Sequence, residues 1–157
     1  TFTEKYLVPY ALISFYGVAN DKVAEIEGIA LTEEDLDLMY EAMWNGTKVL
    51  FTTSKSQMPR LLLEVRYNDE NMFLGELDKY LRLISDKRDE EIRDPEDYML
   101  DIGDLVDVLS DNKSCITKVR VLQDERLRTM AHGSEVALAD ALKEAGLQVE
   151  EFFFSQP

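Results

Sequence analysis

The chain has 157 residues, 45% of them hydrophobic, and a formal net charge of −15 at pH 7. This length suffices for one compact domain, no run reaches the roughly 18 apolar residues of a membrane-spanning helix, and the single Cys115 excludes both an internal disulfide and a cysteine-based zinc site. We therefore predict a cytoplasmic protein without a membrane anchor. The sequence begins at Thr1 and soon enters an apolar stretch, so we expect it to be part of a longer protein.

The first fifty residues predict a strand followed by a helix. Residues 6–16 are rich in aromatic and β-branched residues and almost continuously hydrophobic, which is typical of a strand covered on both faces. Thr32 is a good N-cap, and the three acidic residues after it favour the helix dipole. The helix should end near residues 45–46, Asn-Gly, or continue to Lys48. Its apolar face would consist of Leu36, Met39, Tyr40 and Met43.

The middle of the chain alternates loops and strands. Residues 52–59 are polar and turn-like, and residues 60–67 form a second strand. Residues 72–84 have mixed periodicity, which does not separate helix from strand. Residues 85–97 form a charged, proline-containing connector, which we predict to be an exposed and mobile excursion rather than a binding segment.

The last sixty residues again alternate strands and helices. The predicted elements are strands at residues 98–102 and 116–122, a helix at 104–109, a helix at 135–145 and a last strand at 147–154. Ser134 would cap the final helix and Gly146 would end it. This order predicts an α/β (α+β) sandwich in which helices cover one face of one sheet.

Signatures of catalysis are absent from the sequence. It contains no glycine-rich phosphate loop, no GxSxG and no HExxH. His132 could act as a general base, but no partner is evident, and a structural or exposed role is favoured. Asp101, Asp104 and Asp107 have helical spacing that could collect magnesium, yet such a trio arises by chance among 32 acids. We predict a protein that is not an enzyme and has no cofactor.

The net charge argues against nucleic acid, because phosphates attract lysine and arginine. Two explanations of the acidity compete. The first is partner chemistry, as in a cation-binding protein or an acidic protein-interaction or nucleic-acid-mimic module that uses residues 33–37 and 85–97. The second, which we favour, is adaptation to high salt, where screening weakens self-repulsion.

The distribution of charge is more informative than its sum. Residues 42–63 contain no acid, and residues 112–134 contain five bases against two acids. Together these two windows carry a net charge of +6, whereas the rest of the chain carries −21, which leaves the total of −15. Aspartate and glutamate are thus absent or rare in two segments of the chain, although strands are generally poor in acidic residues.

The loop at residues 52–59 has the chemistry of a nucleic-acid contact. Its lysine suits phosphate, its hydroxyls suit sugar and phosphate oxygens, and Met58 could wedge against a base. Lys48 and Arg60 flank the loop. The alternative is an ordinary connection that lacks acid by accident.

Several motifs occur together along most of the chain. They are VPYAL at 8–12, YGV at 16–18, LTEED at 31–35, WNGTK at 44–48, SKSQMPRLLL at 54–63 and DERL at 124–127. In order and spacing they resemble the C-terminal half of the repeated backbone subunit of the type I-B CRISPR Cascade complex. The chain departs from that family in its acidity, and it lacks the aromatic stacking motif of ordinary RNA-recognition motifs.

The resemblance implies a modified RNA-recognition-motif (RRM-like, ferredoxin-like) palm, of which residues 1–157 would be the C-terminal part. Copies of the subunit would stack along CRISPR RNA with other Cascade subunits, meeting target DNA indirectly, and target cleavage would belong to a separate subunit. Residues 52–59 would be the thumb that displaces a base. The predicted RNA contacts are Lys48, Ser54, Lys55, Gln57, Met58, Arg60, Lys118, Arg120 and Arg126.

Overall fold

The computed structural model describes residue 8 and residues 10–52, 55–69 and 72–154, with the backbone alone at residues 51, 52 and 55. The helices are α1 (Asp21–Ile26), α2 (Glu33–Val49), α3 (Gly103–Asp111) and α4 (Leu138–Glu144). The strands are β1 (Phe51–Thr52), β2 (Lys55–Ser56), β3 (Leu61–Tyr67), β4 (Arg82–Ile84), β5 (Met99–Asp101), β6 (Ile116–Gln123), β7 (Thr129–Ala131), β8 (Ser134–Glu135) and β9 (Val149–Glu151). Throughout this described part, every helix is too short or too polar to cross a membrane.

The strand predicted at residues 6–16 is wrong where it can be checked. Residues 10–20 form no regular secondary structure, and the side chains of Ile13 and Phe15 are 60% and 84% exposed. A strand requires a hydrogen-bonding neighbour, and no described strand pairs with this segment. Residues 6, 7 and 9 lie outside the described residues.

The helix predicted after Thr32 is confirmed as α2. The Thr32 hydroxyl accepts a hydrogen bond from the backbone N–H of Asp35, and the Asp35 carboxylate accepts one from the backbone N–H of Thr32. This reciprocal capping box fixes the first turn. The helix continues through residues 45–46 to Val49. Its one buried side chain is Trp44, whereas Met39 and Met43 of the predicted apolar face stay more than 40% exposed.

The polar loop predicted at residues 52–59 begins as a short hairpin. Strands β1 and β2 pair antiparallel, with Phe51 opposite Ser56 and Thr52 opposite Lys55. Residues 57–60 then run without regular structure into β3. The hairpin therefore lies between α2 and β3, where the sequence placed it, and Ser54 lies outside the described residues.

Two larger sheets carry the remaining strands. The first has the order β3-β6-β9, with β3 and β6 antiparallel and β6 and β9 parallel. The second has the order β4-β5-β7-β8. Helices α3 and α4 provide the fully buried Leu105, Leu109, Leu138 and Leu142 of the core. The α+β class is confirmed and is compatible with an RRM-like sandwich, but the described strands divide among three sheets instead of the predicted one.

The start predicted for the last helix is wrong. Ser134 lies in β8 and pairs with Ala131 across a tight turn in which His132 and Gly133 both have positive φ, 50° and 81°. Helix α4 begins only at Leu138, without a side-chain cap. Gly146 has φ 86°, in the left-handed region, and follows the end of the helix as predicted.

The connector at residues 85–97 is exposed over most of its length, as predicted, but two of its residues are buried. It contains two 3-10 turns, Asp89–Glu91 and Pro95–Asp97, and both Ile92 and Pro95 are buried. The Ser85 hydroxyl donates a hydrogen bond of 2.6 Å to the backbone oxygen of Asp97, which closes the segment on itself. Because Ile92 belongs to the hydrophobic core, the connector is anchored there.

Candidate nucleic-acid interface

The acid-free stretch from residue 42 to 63 spans the end of α2, the hairpin and the start of β3. Lys48 lies in the last turn of α2, and its Nζ is 5.3 Å from the centroid of the buried Trp44 ring. This distance permits a cation–π contact, which orients the ammonium group without neutralising its charge. Lys48 makes no ion pair with a carboxylate of the described residues.

The residues after the hairpin leave an apolar side chain at the surface. Met58 is 45% exposed, and Gln57 is half-buried beside it in the sequence. The backbone of Lys55 pairs with Thr52, which fixes its place on the hairpin. A flexible thioether on an otherwise polar stretch suits contact with the flat face of a base.

Arg60 has an internal partner. Its Nη1 donates to Oδ1 of Asp124 at 2.6 Å, and its side chain is 15% exposed. The backbone N–H of Asp124 also donates to the backbone oxygen of Arg60, at 2.9 Å. Arg60 thus joins the segment before β3 to the segment after β6.

Arg120 lies at the centre of a charged cluster between α2 and the three-stranded sheet. Its Nη1 donates to Asp37 at 2.6 Å and its Nε donates to Glu64, while its guanidinium carbon lies 4.4 Å from the centroid of the Phe152 ring. Burial lowers the pKa of Arg120, but its hydrogen bonds to Glu64 and Asp37 outweigh burial and raise the pKa above its usual range. The cation is therefore permanent and held in place.

Glu64 gathers the other members of this cluster. Its side chain is 7% exposed and accepts hydrogen bonds from the Tyr40 hydroxyl and from Arg66 Nε, each at 3.0 Å. Burial and, next, the Glu64 carboxylate raise the pKa of Tyr40, so its hydroxyl stays a donor. Glu64 was not among the predicted site residues, although a lone carboxylate within the apolar strand LLLEVRY indicates a buried charge that requires partners.

The remaining predicted contacts are paired within the chain. Lys118 on β6 pairs with Glu150 at 3.0 Å, and Arg126 pairs with Asp94 at 2.7 Å. Lys48, Lys55, Gln57 and Met58 are neighbours along one stretch of chain, and Ser54, which is between Lys48 and Lys55 in the sequence, lies outside the described residues. The structure gives each of Arg60, Lys118, Arg120 and Arg126 a carboxylate partner.

His132, the one histidine, has a neighbour that the sequence could not identify. Its Nε2 lies 3.2 Å from Oδ1 of Asp107, and both side chains are about 60% exposed. Asp104, of the spaced acids, pairs with Arg82. Within the described ranges, no three His, Cys, Asp or Glu side chains are grouped so that they could hold a metal ion.

Comparison with known proteins identifies the family. A family model described as CRISPR-associated protein Cas7 matches residues 1–103. A CRISPR-associated protein Cas7 of Haloferax volcanii is 30% identical over 151 residues, which are 92% of this chain and 43% of that protein. The chain therefore spans less than half the length of this relative. With two-thirds of its residues matched by the family model, the chain belongs to the CRISPR-associated protein Cas7 family.

Proposed function

We propose that the protein containing this chain binds CRISPR RNA along its sugar-phosphate backbone and, in several copies, forms the non-catalytic scaffold of a type I antiviral surveillance complex. Its partners are the RNA, other copies of itself and other Cascade subunits, and it meets target DNA indirectly in the cytoplasm. Membership of the Cas7 family supports this proposal. We attribute the acidity outside the RNA-binding stretch to adaptation to high salt.

One observation carries the proposal. In a chain of net charge −15, residues 42–63 contain no acid, and Lys48 within them has no carboxylate partner among the described residues. The other predicted cations whose side chains are described each have one. A phosphate that approaches Lys48 therefore meets an uncompensated positive charge, without first having to displace a carboxylate.

Each residue of the stretch has a distinct proposed role. Lys48 and Lys55 contact phosphates, and the Ser54 hydroxyl and the Gln57 amide contact sugar or phosphate oxygens. Met58, which is 45% exposed, lies against a base or separates two bases. These contacts do not depend on the base sequence of the RNA. A subunit that repeats along a guide RNA requires such contacts, because each copy meets different bases.

The four predicted cations that pair with carboxylates are weaker candidates for RNA contact than Lys48. Arg60, Lys118 and Arg126 would each have to exchange a carboxylate for a phosphate, a replacement that gains little net electrostatic energy. Arg120 would have to leave two carboxylates and the Phe152 ring, and its side chain is only 13% exposed. We therefore expect Arg120 to support the fold more than it binds RNA.

The salt dependence of RNA binding tests the proposal. The double variant Lys48→Gln/Lys55→Gln should reduce the slope of log affinity against log salt by about 1.4, since each phosphate contact to a single strand contributes about 0.7. The control is Lys79→Gln/Lys143→Gln, in which both lysines are about half or more exposed and lie outside residues 42–63. An unchanged slope in the first variant would show that this stretch is not the RNA contact.

An acidic module that mimics nucleic acid is the alternative. It predicts no RNA binding by the intact protein at either low or high salt. The structure favours this alternative less than the sequence did, because several acids of residues 85–97 are already paired internally. Asp94 pairs with Arg126, and Asp97 pairs with Lys87 at 2.5 Å.

A further inference from the structure

A groove of about 530 Å³ lies between α3, α4 and the hairpin formed by β7 and β8. Its lining begins at Val106 and ends at Ala145, so all of it lies beyond residues 1–103, which the family model matches. The groove is also remote in sequence from the proposed RNA contacts at residues 48–58. It therefore requires its own explanation.

Small side chains create the concavity. Ala131, Ala141 and Ala145 line the groove together with Val106, and none of the three alanines extends beyond Cβ. Val106 and Ala141 are 6% and 7% exposed and form an apolar floor. The Ser110 hydroxyl lies 3.5 Å from the backbone oxygen of Ala145, at the weak limit of a hydrogen bond between α3 and the end of α4. The floor can thus cover the aliphatic part of a side chain but offers it little polar contact.

The β7–β8 hairpin forms the opposite wall. The turn at His132 and Gly133, with positive φ at both residues, folds β8 back sharply onto β7. The His132 side chain reaches α3, where its Nε2 is 3.2 Å from Oδ1 of Asp107. This contact joins the hairpin to α3 at the edge of the groove.

The charge at the rim is negative and largely unpaired. Glu144 makes no ion pair or hydrogen bond with the part of the chain that the structure describes, and Asp107 has only His132 beside it. Glu135 is different, because Arg128 neutralises it through two hydrogen bonds of 2.9 and 2.8 Å. The lining contains no lysine or arginine.

We propose that this groove binds a lysine- or arginine-bearing segment of a partner protein. The aliphatic stem of the basic side chain lies on the floor of Val106, Ala141 and Ala145, and its cationic head is attracted by Asp107 and Glu144. Long basic side chains suit such sites because the aliphatic stem contacts apolar groups while the charged head meets carboxylates. The sign of the rim excludes nucleic acid as the occupant. The inference is independent of the proposed RNA binding.

Peptide titration of the intact protein tests this site. The probe is a fluorescein-labelled hexapeptide of alternating arginine and leucine, and fluorescence anisotropy is measured at 0.15 M salt, once circular dichroism has shown that the protein is folded at that salt concentration. Asp107→Asn and Glu144→Gln should each weaken binding by up to about fivefold, and the double variant by about tenfold or more. The matched controls Asp86→Asn and Glu27→Gln remove the same charges from exposed positions outside the groove and should leave binding unchanged.

A second variant separates the groove from bulk charge. Ala145→Leu fills the groove and keeps every acid, so it should abolish peptide binding while circular dichroism shows an unchanged fold. Equal weakening in groove and control variants would mean general attraction to an acidic protein and would overturn the site. Concentration-dependent self-association that is lost in the Asp107→Asn/Glu144→Gln variant would assign the groove to a second copy and would also overturn it.

Discussion

Removal of the Glu64 carboxylate should destabilise the protein more than removal of any exposed acid. Glu64 is buried, and it accepts hydrogen bonds from Tyr40, Arg66 and Arg120. In the Glu64→Gln variant, Arg120 keeps only Asp37 as a counter-ion while it stays between α2 and the sheet. The substitution preserves the size of the side chain, so the lost charge is its main effect.

The structure allows an estimate of the stability lost in Glu64→Gln. Loss of one partner of a buried ion pair costs about 3–5 kcal/mol, because the other charge stays desolvated and uncompensated. Asp37 still compensates part of the Arg120 charge, so we expect the lower end, about 3 kcal/mol. With a urea m-value of about 2 kcal/mol/M, the unfolding midpoint should fall by about 1.5 M.

Urea unfolding followed by circular dichroism measures this shift. The control is Glu150→Gln, which removes the same group from an exposed pair on β9, on the far side of β6 from Glu64; Glu150 is 46% exposed and pairs with Lys118. Its midpoint should move little, since exposed pairs contribute little to stability. Equal shifts in the two variants would refute the conclusion that Glu64 and Arg120 hold α2 on the sheet.

Three further substitutions test the fold. Thr32→Ala removes the N-cap of α2 and should cost about 1 kcal/mol in urea unfolding. Hydrogen bonds from the Thr32 hydroxyl and backbone N–H hold the pKa of Asp35 below its ordinary value. The stability that these bonds contribute is therefore present at neutral pH and is lost as pH falls through the lowered pKa. Thr32→Ala should reduce this acid-induced loss of stability. Ile92→Ala should cost about 2–4 kcal/mol if residues 85–97 are anchored, and a change below 1 would contradict this, whereas a free excursion predicts about zero. Ser134→Ala should stay within about 0.5 kcal/mol, and a larger loss would restore Ser134 as a helix cap.

The sequence predicted the features that neighbouring residues determine. Thr32 and Asp35 meet within one helical turn, so the start of α2 was readable from their spacing. Gly146 was readable because few other residues adopt its positive φ after a helix. Strand β6 was recognisable because its alternation of burial follows from a backbone whose side chains alternate in direction.

Predictions that depended on distant partners were wrong or incomplete. Residues 6–16 have strand-forming composition, but no described strand pairs with residues 10–16. Ser134 has the identity of a helix cap, yet the turn at residues 132–133 pairs it with Ala131 instead. Residues 85–97 look solvated in a composition count, and only the packing of Ile92 shows that they are anchored.

The two acid-poor windows also differ in whether distant residues of the chain pair with their cations. In residues 112–134, the bases Lys118, Arg120, Arg126 and Arg128 all have carboxylate partners, and each of those partners lies outside the window in the sequence. The positive charge of this window is therefore largely neutralised by folding. A count along the sequence cannot show this, because Arg120 and Asp37 are 83 residues apart.

The window at residues 42–63 has a different physical origin. Arg60 is paired within the chain, but Lys48 rests on the Trp44 ring and keeps its charge available. Absence of acid from a segment that includes a hairpin, on a chain of net charge −15, is not explained by internal pairing or by strand composition alone. A ligand that carries negative charge explains it directly, because any acid placed there would repel that ligand. This asymmetry between the windows is why we propose Lys48 and the hairpin, rather than β6, as the RNA contact.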